Sequence, residues 1–390
     1  MILALAMSLL PPCDFTIYTA DDWARVNDPD KRVFCVAPAP TYAVEEVGVV
    51  QLTASGTPEL PRWLRWANDD ETLHPANVPP AETASVAQFD LHGSHWVVDR
   101  IVVRDAIYNP RVMGHGNRLQ RMVFEKPRAW PGRQSGLMLL VSDGAEHVVV
   151  DCVFRDSFRH PGVDSYAVYI HQAERVTVQG NEFIDLVDGV SNGPLAGGGN
   201  RIIDNEFYHT SASYTDCRGS FDPAGECSCS EGMAFVGKGP IDKPESFVER
   251  NLVWGFRKTD PYCAGSGTPG VVFDFGSTAA GAPRPTLTRH FTVRDNVILA
   301  RVPFAIYLGA AVEDLTITGN YITGAASAIT NLYGQRILIR GNVLRNNGIN
   351  HHTSPQARGG TYVGNRMGGT RKYCLVFRHL TAPDTRCIRW

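Results

Sequence analysis

The sequence predicts an all-β fold, a parallel β-helix whose short strands wind as a solenoid, with an amino-terminal capping helix and an internal ladder of asparagines. Three observations lead there. First, the phrase apolar-x-apolar-x-Gly-Asn occurs twice within Val312–Leu344, as Leu315-Thr316-Ile317-Thr318-Gly319-Asn320 and Ile337-Leu338-Ile339-Arg340-Gly341-Asn342. Each copy has the period-two alternation of a half-buried strand and ends in a residue pair that tolerates a left-handed turn. Second, asparagines hold the same place in related phrases, at Asn181, Asn205, Asn251, Asn296, Asn320, Asn342 and Asn365, with successive spacings of 24, 46, 45, 24, 22 and 23 residues. The long spacings are one period plus an insertion, or two periods, and a period in the twenties marks a solenoid. Third, a second set of short strands lies between these phrases with no helical pattern, which excludes a βα solenoid.

In chain order, Met1–Leu10 is apolar without Lys or Arg and runs into Pro11-Pro12-Cys13. It reads as a truncated secretory signal or as a core strand. Asp14–Tyr18 and Arg32–Val36 are strand-like. Between them Thr19, with Asp21 and Asp22, can cap a short helix that carries Trp23 and Val26 on one side and plugs the open end of a solenoid. Val47–Leu52 and Trp63–Trp66 supply first coils, and from His95 the phrase recurs at 95–103, 117–124, 147–154, 176–183, 202–207, 247–253, 291–298, 315–322, 337–344 and 361–367. The intervening strands are Leu137–Leu140, Ala167–His171, Met233–Val236, Val271–Phe275, Ala305–Leu308 and Ala328–Leu332. A side-chain amide both donates and accepts, so a buried asparagine stack satisfies itself by repetition. Cys152 stands in the ladder's place one coil earlier and reads as a buried free thiol. The expected organisation is a cap with first coils over 1–84 (a signal remnant at 1–12), a β-helix over 85–370 with insertions at 209–244 and 256–269, and a carboxy-terminal cap over 371–390.

Hydrophobic residues at 43%, charged residues at 20%, 37 Gly and 25 Pro describe a folded, turn-rich chain rather than a disordered one. A net charge of −3 supplies no global field for polyanions, so nucleic acid is not the expected partner. No stretch is apolar for long enough to make a spanning helix. Most of the nine cysteines lie near the ends or within the Gly/Pro-rich residues 211–270, a placement that suits disulfides in an oxidising compartment, with Cys13–Cys35 and Cys374–Cys387 as the expected pairs. Cys227-Ser228-Cys229 lacks the second ligand pair of a zinc site.

The tandem phrases, the asparagine ladder and the capping segment resemble the right-handed parallel β-helix repeat superfamily, which includes pectate-lyase-like and alginate- or chondroitin-lyase-like enzymes, polygalacturonase-like hydrolases, epimerase-like proteins and adhesins. The resemblance covers about residues 85–370 and implies a right-handed, single-stranded helix. It specifies fold and leaves chemistry open. It implies a groove along one sheet, walled by insertions.

With Val168, Ile170, Met233, Phe235, Val271, Phe273, Ile306 and Leu308 inward, alternation turns Tyr169, His171, Ala234, Val236, Val272, Asp274, Tyr307 and Gly309 outward, with Lys238 just past a strand end. Aromatic rings beside charges suit sugars. Cleaving a uronate polymer by β-elimination needs a base for the C5 proton and a cation near the carboxylate. Lys238, Arg257, His171 and Tyr169 are the candidate catalytic residues. Tyr307, Asp274, Lys258 and Asp164 are the candidate substrate-binding residues. Hydrolysis needs two carboxyl groups in one cleft, for which Asp164, Asp185, Asp188 and Asp274 are available. The motifs of polygalacturonase-like hydrolases are missing, since Met113-Gly114-His115-Gly116 lacks its partners, and Phe221-Asp222-Pro223-Ala224 lacks the histidine of the epimerase-like motif. By analogy with lyase-like sites, calcium could bridge an acidic sugar to Asp185 and Asp188. His351-His352, in the polar loop expected over 346–360, read as surface residues. The function expected is a secreted, cell-surface or periplasmic carbohydrate-active enzyme, a polysaccharide lyase ahead of a glycoside hydrolase. The alternative from another class is a non-catalytic glycan-binding surface protein.

Overall fold

Runs of three to six residues rich in Val, Ile, Phe and Leu, interrupted by Gly-Asn and Asp-Asn pairs, are too short for independent sheets and must stack on neighbours to bury their apolar side. In the structure, a computed structural model, they stack as a right-handed, single-stranded parallel β-helix. The structure describes residues 10–38, 49–70, 72–86, 88–106, 109–125, 137–155, 166–186, 188–210, 233–238, 244–257, 271–276, 287–309, 312–354 and 357–368, and the backbone alone at 81, 233, 257, 373–378 and 383–388.

From Arg62–Trp66 onward the coils visit three parallel sheets in turn. Among the described residues sheet A has 13 strands, from Phe15–Ile17 to Thr361–Val363. Sheet B has 11, from Ser85–Val86 to Arg366–Met367, and sheet C has 11, from Val50–Leu52 to Ile349–Thr353. One complete coil is Thr177–Gln179 in sheet A, Glu182–Ile184 in sheet B and Asp188–Asn192 in sheet C. The core is one continuous apolar column. Within it Phe124, Phe154, Phe183 and Phe207 stack face to face at centroid distances of 4.7, 5.0 and 4.5 Å.

The corner from sheet A to sheet B is a two-residue turn. Its first residue is left-handed, with φ between 52° and 68° from Asp151 through Gly180, Asp204, Arg250, Asp295, Gly319 and Gly341 to Gly364. Its second residue is the ladder asparagine, so the left-handed conformation belongs to the residue before the asparagine, and no ladder asparagine has positive φ. At Gly319 a Cβ would come within 2.4 Å of Asp295 Oδ1, which explains a glycine beneath an aspartate. From Asn181 to Asn365 the backbone N–H and Nδ2 of each asparagine both donate to Oδ1 of the next, at 2.9–3.0 Å. The second Nδ2 hydrogen goes to a carbonyl, such as Ile202 O at 2.9 Å from Asn251. Cys152 begins the column, its N–H donating to Asn181 Oδ1 at 2.9 Å. Its thiol is buried and free, and burial pushes its pKa up to about 12, so it is inert near neutrality.

At the amino-terminal end Asp21–Arg25 forms a 3₁₀ helix with Trp23 and Val26 in the core. Asp22 ties it down by accepting from the N–H groups of Tyr18 and Thr19, both at 2.9 Å, and from the Thr19 hydroxyl. Cys13 and Cys35 are bonded as a disulfide. Cys374 and Cys387 face each other in register across the antiparallel strands Tyr373–Arg378 and Pro383–Ile388. Cys217, Cys227, Cys229 and Cys263 lie outside the described residues.

Residues 72–83 cross the outside of sheet B, where Ala76 packs on Val102, Val123 and Val153. His74 anchors this crossing: Nδ1 accepts from Ala76 N–H and Nε2 lies 3.1 Å from the Asp151 carbonyl, a pattern that the neutral ring satisfies with Nε2–H. Burial, reinforced by the charges of Arg121 and Arg155, pushes its pKa down to about 4. A folded-state pKa below the unfolded value means stability that is full above about pH 6.5 and lost as pH falls through about 4, roughly 3 kcal/mol in all. Urea midpoints of wild type and His74→Gln across that window should show the acid loss reduced by about this amount in the variant.

Candidate functional site

The outward faces differ in what they leave available. On sheet A and its corners, several described carboxylates pair with arginines. Asp99 takes Arg100 and Arg121, Glu249 takes Arg201, Arg250 and Arg294, and Glu313 with Asp314 takes Arg289 and Arg336. On sheet B, Glu125 lies between Arg104 and Arg155. The neighbouring rungs there carry a buried cluster in which Trp254 Nε1 donates to Glu206 at 2.6 Å, Tyr208 hydrogen-bonds Glu182, and the Tyr208 and Trp254 rings stack at 4.7 Å. Burial and then the charges of Glu182 and Glu206 push the Tyr208 hydroxyl far up, so it remains a donor. Sheet C is organised differently.

The chain enters each sheet-C strand at a corner, and the corner breaks strict alternation. In Tyr166–Ile170 the residues Ala167 and Val168 both join the core, whereas the rings of Tyr166 and Tyr169 meet outside it at 5.5 Å. The same offset brings Phe304 to 5.3 Å from Tyr307 and the Ser327 hydroxyl to 2.7 Å from that of Thr330. Ala234 and Val272, expected outward, are therefore core residues. Val271, expected inward, is register partner of Phe304 and stands outside the core column, while the side chain of Met233 lies outside the described residues.

Pairing then fixes one outward lane across the sheet: Leu140, Tyr169, Ser191, Val236, Asp274, Tyr307, Thr330 and His352. Successive members are about 4.8 Å apart. Tyr169 and Tyr307 are half-buried, and each lies across a glycine: a Cβ on Gly193 would be 2.8 Å from the Tyr169 hydroxyl, and one on Gly309 would be 3.2 Å from Tyr307 Cε1. Burial raises the pKa of both tyrosines, with Asp274 adding to it at Tyr307, so both hydroxyls stay protonated as donors. Between them Ser191 is 1% exposed and its Oγ has no hydrogen-bond partner.

A parallel lane runs along the strand ends, through His171, Gly193, Lys238, Gly276 and Gly309, each donating its backbone N–H to the preceding coil. His171 stacks on Tyr169 at 5.8 Å, and its Nδ1 has no partner. Lys238 stands two rungs further on, about 10 Å away. Tyr169, His171, Lys238, Asp274 and Tyr307 thus share one face. Arg257 does not join them through its backbone. It ends the sheet-B strand Leu252–Arg257, at the margin where sheet-C strands begin, whereas Lys238 lies where they end, roughly 15 Å away. The Arg257 side chain, Lys258 and Asp164 lie outside the described residues.

Asp185, with φ of 52°, accepts from the Thr210 N–H at 2.6 Å and the Thr210 hydroxyl at 2.5 Å, and Asp188 is buried at the head of its sheet-C strand. Among the described residues no group of three or more His, Cys, Asp or Glu is arranged to hold a metal ion. Both oxygens of Asp185 are engaged, the pair does not fit a calcium site, and no step is assigned to calcium. His351 and His352 are in the last sheet-C strand, Ile349–Thr353, rather than in a loop; His352 is exposed and the His351 ring is 4.2 Å from that of Tyr362.

Two groups escaped sequence reasoning. Glu182 and Glu206 follow ladder asparagines in identical Asn-Glu-Phe phrases, a signal that sets them on adjacent rungs. Ser191 belongs to a strand, Asp188–Asn192, whose composition is poor in β-formers. Residues 126–136, 156–165, 211–232 and 258–270 all connect sheet B to sheet C, and 239–243 and 277–286 connect sheet C to sheet A. The long connections therefore leave and enter at the two margins of sheet C. The 209–244 stretch itself contains the sheet-C strand Met233–Gly237.

No family model matches the sequence, and no curated protein does. Among solved structures, the surface protein and adhesin PfbA of Streptococcus pneumoniae is similar at a TM-score of 0.51 and 12% identity, over 88% of this chain and 93% of that one. The tailspike protein of E. coli bacteriophage HK620, as a double mutant with an aspartate and a glutamate changed to alanine and in complex with a pentasaccharide, is similar at a TM-score of 0.52 and 10% identity. That match covers 90% of this chain and 62% of the tailspike, so the chain spans less than two thirds of the tailspike's length. At these identities the likeness establishes the fold.

Proposed function

We propose that the protein binds an acidic polysaccharide along the outward face of sheet C, outside the cell. The observation that carries this reading is the lane itself: two half-buried tyrosines over glycines, with Asp274 and the partnerless, buried hydroxyl of Ser191 between them. Sugar rings present C–H faces to aromatic rings and hydroxyls to such polar groups. Lys238 in the adjacent lane favours an acidic chain over a neutral one. The Cys13–Cys35 disulfide suits an oxidising compartment, and the fold neighbours include an adhesin and a tailspike bound to a pentasaccharide.

A second reading is catalytic and rests on Tyr169, His171 and Lys238 sharing one face. In β-elimination a base removes the C5 proton of a uronate, the C4–O bond breaks, the leaving oxygen takes a proton, and a C4–C5 double bond forms. His171 is the base available there, Tyr169 the proton donor, and Lys238 the cation beside the carboxylate.

Pectate, alginate and glycosaminoglycans should be tested for binding and for ultraviolet absorbance from new double bonds, with and without calcium. Binding to at least one acidic polymer is expected. Rising absorbance would establish the lyase reading, and binding without any new absorbance would remove it. Failure to bind every acidic polymer would overturn the reading as a whole.

A further inference from the structure

Near the carboxy-terminal end of the β-helix one buried cation lacks a counter-charge. Arg345 ends the sheet-B strand Val343–Arg345, is 9% exposed, and has no hydrogen-bond partner at Nε or Nη1. It takes part in no ion pair among the described residues. Other buried arginines in this chain have more partners, although Arg62 Nε also lacks one: Arg62 Nη2 donates to Val26 O and Asp28 O. Arg100 donates through Nε to Asp99, through Nη1 to Asp70 O and through Nη2 to Asn68 O, and Arg65 reaches Pro11 O, Trp66 O and Asp69. A guanidinium withdrawn from water without compensation is costly, so an anion at this point would stabilise it.

Thr323, the register partner of Arg345 on the adjacent rung, is 1% exposed, and its Oγ1 also has no partner. Thr323 lines a groove of about 590 Å³ with Arg301, Pro303, Gly324, Asn346 and Gly348. The groove follows the margin where sheet B hands over to sheet C, at coils whose connections are only a few residues long. Its lining residues Pro303, Ala326 and Gly348 immediately precede the sheet-C strands Phe304–Leu308, Ser327–Asn331 and Ile349–Thr353. It therefore lies at the start of the strands that carry Tyr307 and Thr330. Its wall mixes apolar residues with polar ones, which suits a sugar ring bearing an acidic group better than a bare ion.

We propose that this groove is the subsite for the acidic group of a glycan residue, a carboxylate or a sulfate, held by Thr323 and Arg301 on its wall and favoured by the unpaired charge of Arg345 on the adjoining rung. Both oxyanions offer what the unpaired guanidinium donors and the threonine hydroxyl require. The proposal rests on the reading of sheet C as a glycan track and names the feature of the glycan that is recognised beyond it.

The test compares wild type with Arg345→Met, Arg345→Lys and Thr323→Val, each first checked for native circular dichroism. Ligands are an oligogalacturonate, a chondroitin sulfate oligosaccharide, a neutral cello-oligosaccharide and free glucuronate. Arg345→Met removes a charge that has no protein partner, so the unliganded variant should be at least as heat-stable as wild type. Acidic oligosaccharides should bind wild type and lose about tenfold or more in affinity with Arg345→Met and with Thr323→Val, while Arg345→Lys retains part of the binding. Preference between the oligogalacturonate and the sulfated chain separates carboxylate from sulfate. Acidic binding within twofold of wild type in a folded Arg345→Met would overturn the subsite. If Tyr307→Ala still weakened binding in that case, the sheet-C reading would stand alone. Arg345-dependent binding of free glucuronate without binding of any oligosaccharide would keep the anion site and overturn the track. No binding of any acidic ligand to wild type would overturn both.

Discussion

Replacing Asn251 with alanine should destabilise the protein by about 4 kcal/mol, because several buried groups lose their partners together. Its Oδ1 accepts both the backbone N–H and the Nδ2 of Asn205, each at 3.0 Å, and its Nδ2 donates to Asn296 Oδ1 and Ile202 O, each at 2.9 Å. The site is 1% exposed, so water does not substitute. Each orphaned buried group costs about 1–3 kcal/mol, and the cavity left by the amide adds to this. Asn365→Ala, at the open end of the ladder and only half-buried, should cost about 1 kcal/mol, because solvent can satisfy Asn342 there. Urea midpoints at unchanged slope measure both. A loss below about 1 kcal/mol at Asn251 would mean that the ladder contributes little beyond the backbone hydrogen bonds.

The ladder was legible in the sequence because its physics repeats. A left-handed first residue and a self-pairing amide recur at every A-to-B corner, so Gly319-Asn320 and Gly341-Asn342 announce coils wherever they occur. The sheet-C strands were less legible. Counting by twos from Val168 or Phe273 assumes a straight strand, whereas the corner turns two successive residues inward, which is why Ala234 and Val272 went to the core. Asp188–Asn192 and Ile349–Thr353 lack the β-branched and aromatic density of a strand and owe their conformation to the coils on either side.

The candidate site divides along the same line. Tyr169, His171, Lys238, Asp274 and Tyr307 were readable because each sits in or just after an apolar run. That Arg257 lies at the other margin of sheet C was not, since nearness to an insertion does not say which side of a sheet the chain is leaving. Arg345 reads as one more polar alternate in Asn342-Val343-Leu344-Arg345, and the lack of a partner for a buried guanidinium is visible only in three dimensions.

The second large effect expected is on binding. Tyr307 lies over Gly309, beside Asp274 on the preceding rung and near the ring of Phe304, so its truncation removes an aromatic platform and leaves a backbone hollow. Tyr169 holds the equivalent position over Gly193. An aromatic platform in a binding lane contributes about 1–2 kcal/mol, which is roughly ten- to thirtyfold in affinity. Both residues are half-buried, so alanine should leave the coils folded, and Thr177→Ala on the outward face of sheet A serves as control. The direct measurement is calorimetric titration of an acidic oligosaccharide into wild type, Tyr169→Ala, Tyr307→Ala and Thr177→Ala. The sheet-C track predicts about tenfold or greater weakening in each tyrosine variant and wild-type affinity in the control; equal affinity in all four proteins would contradict it.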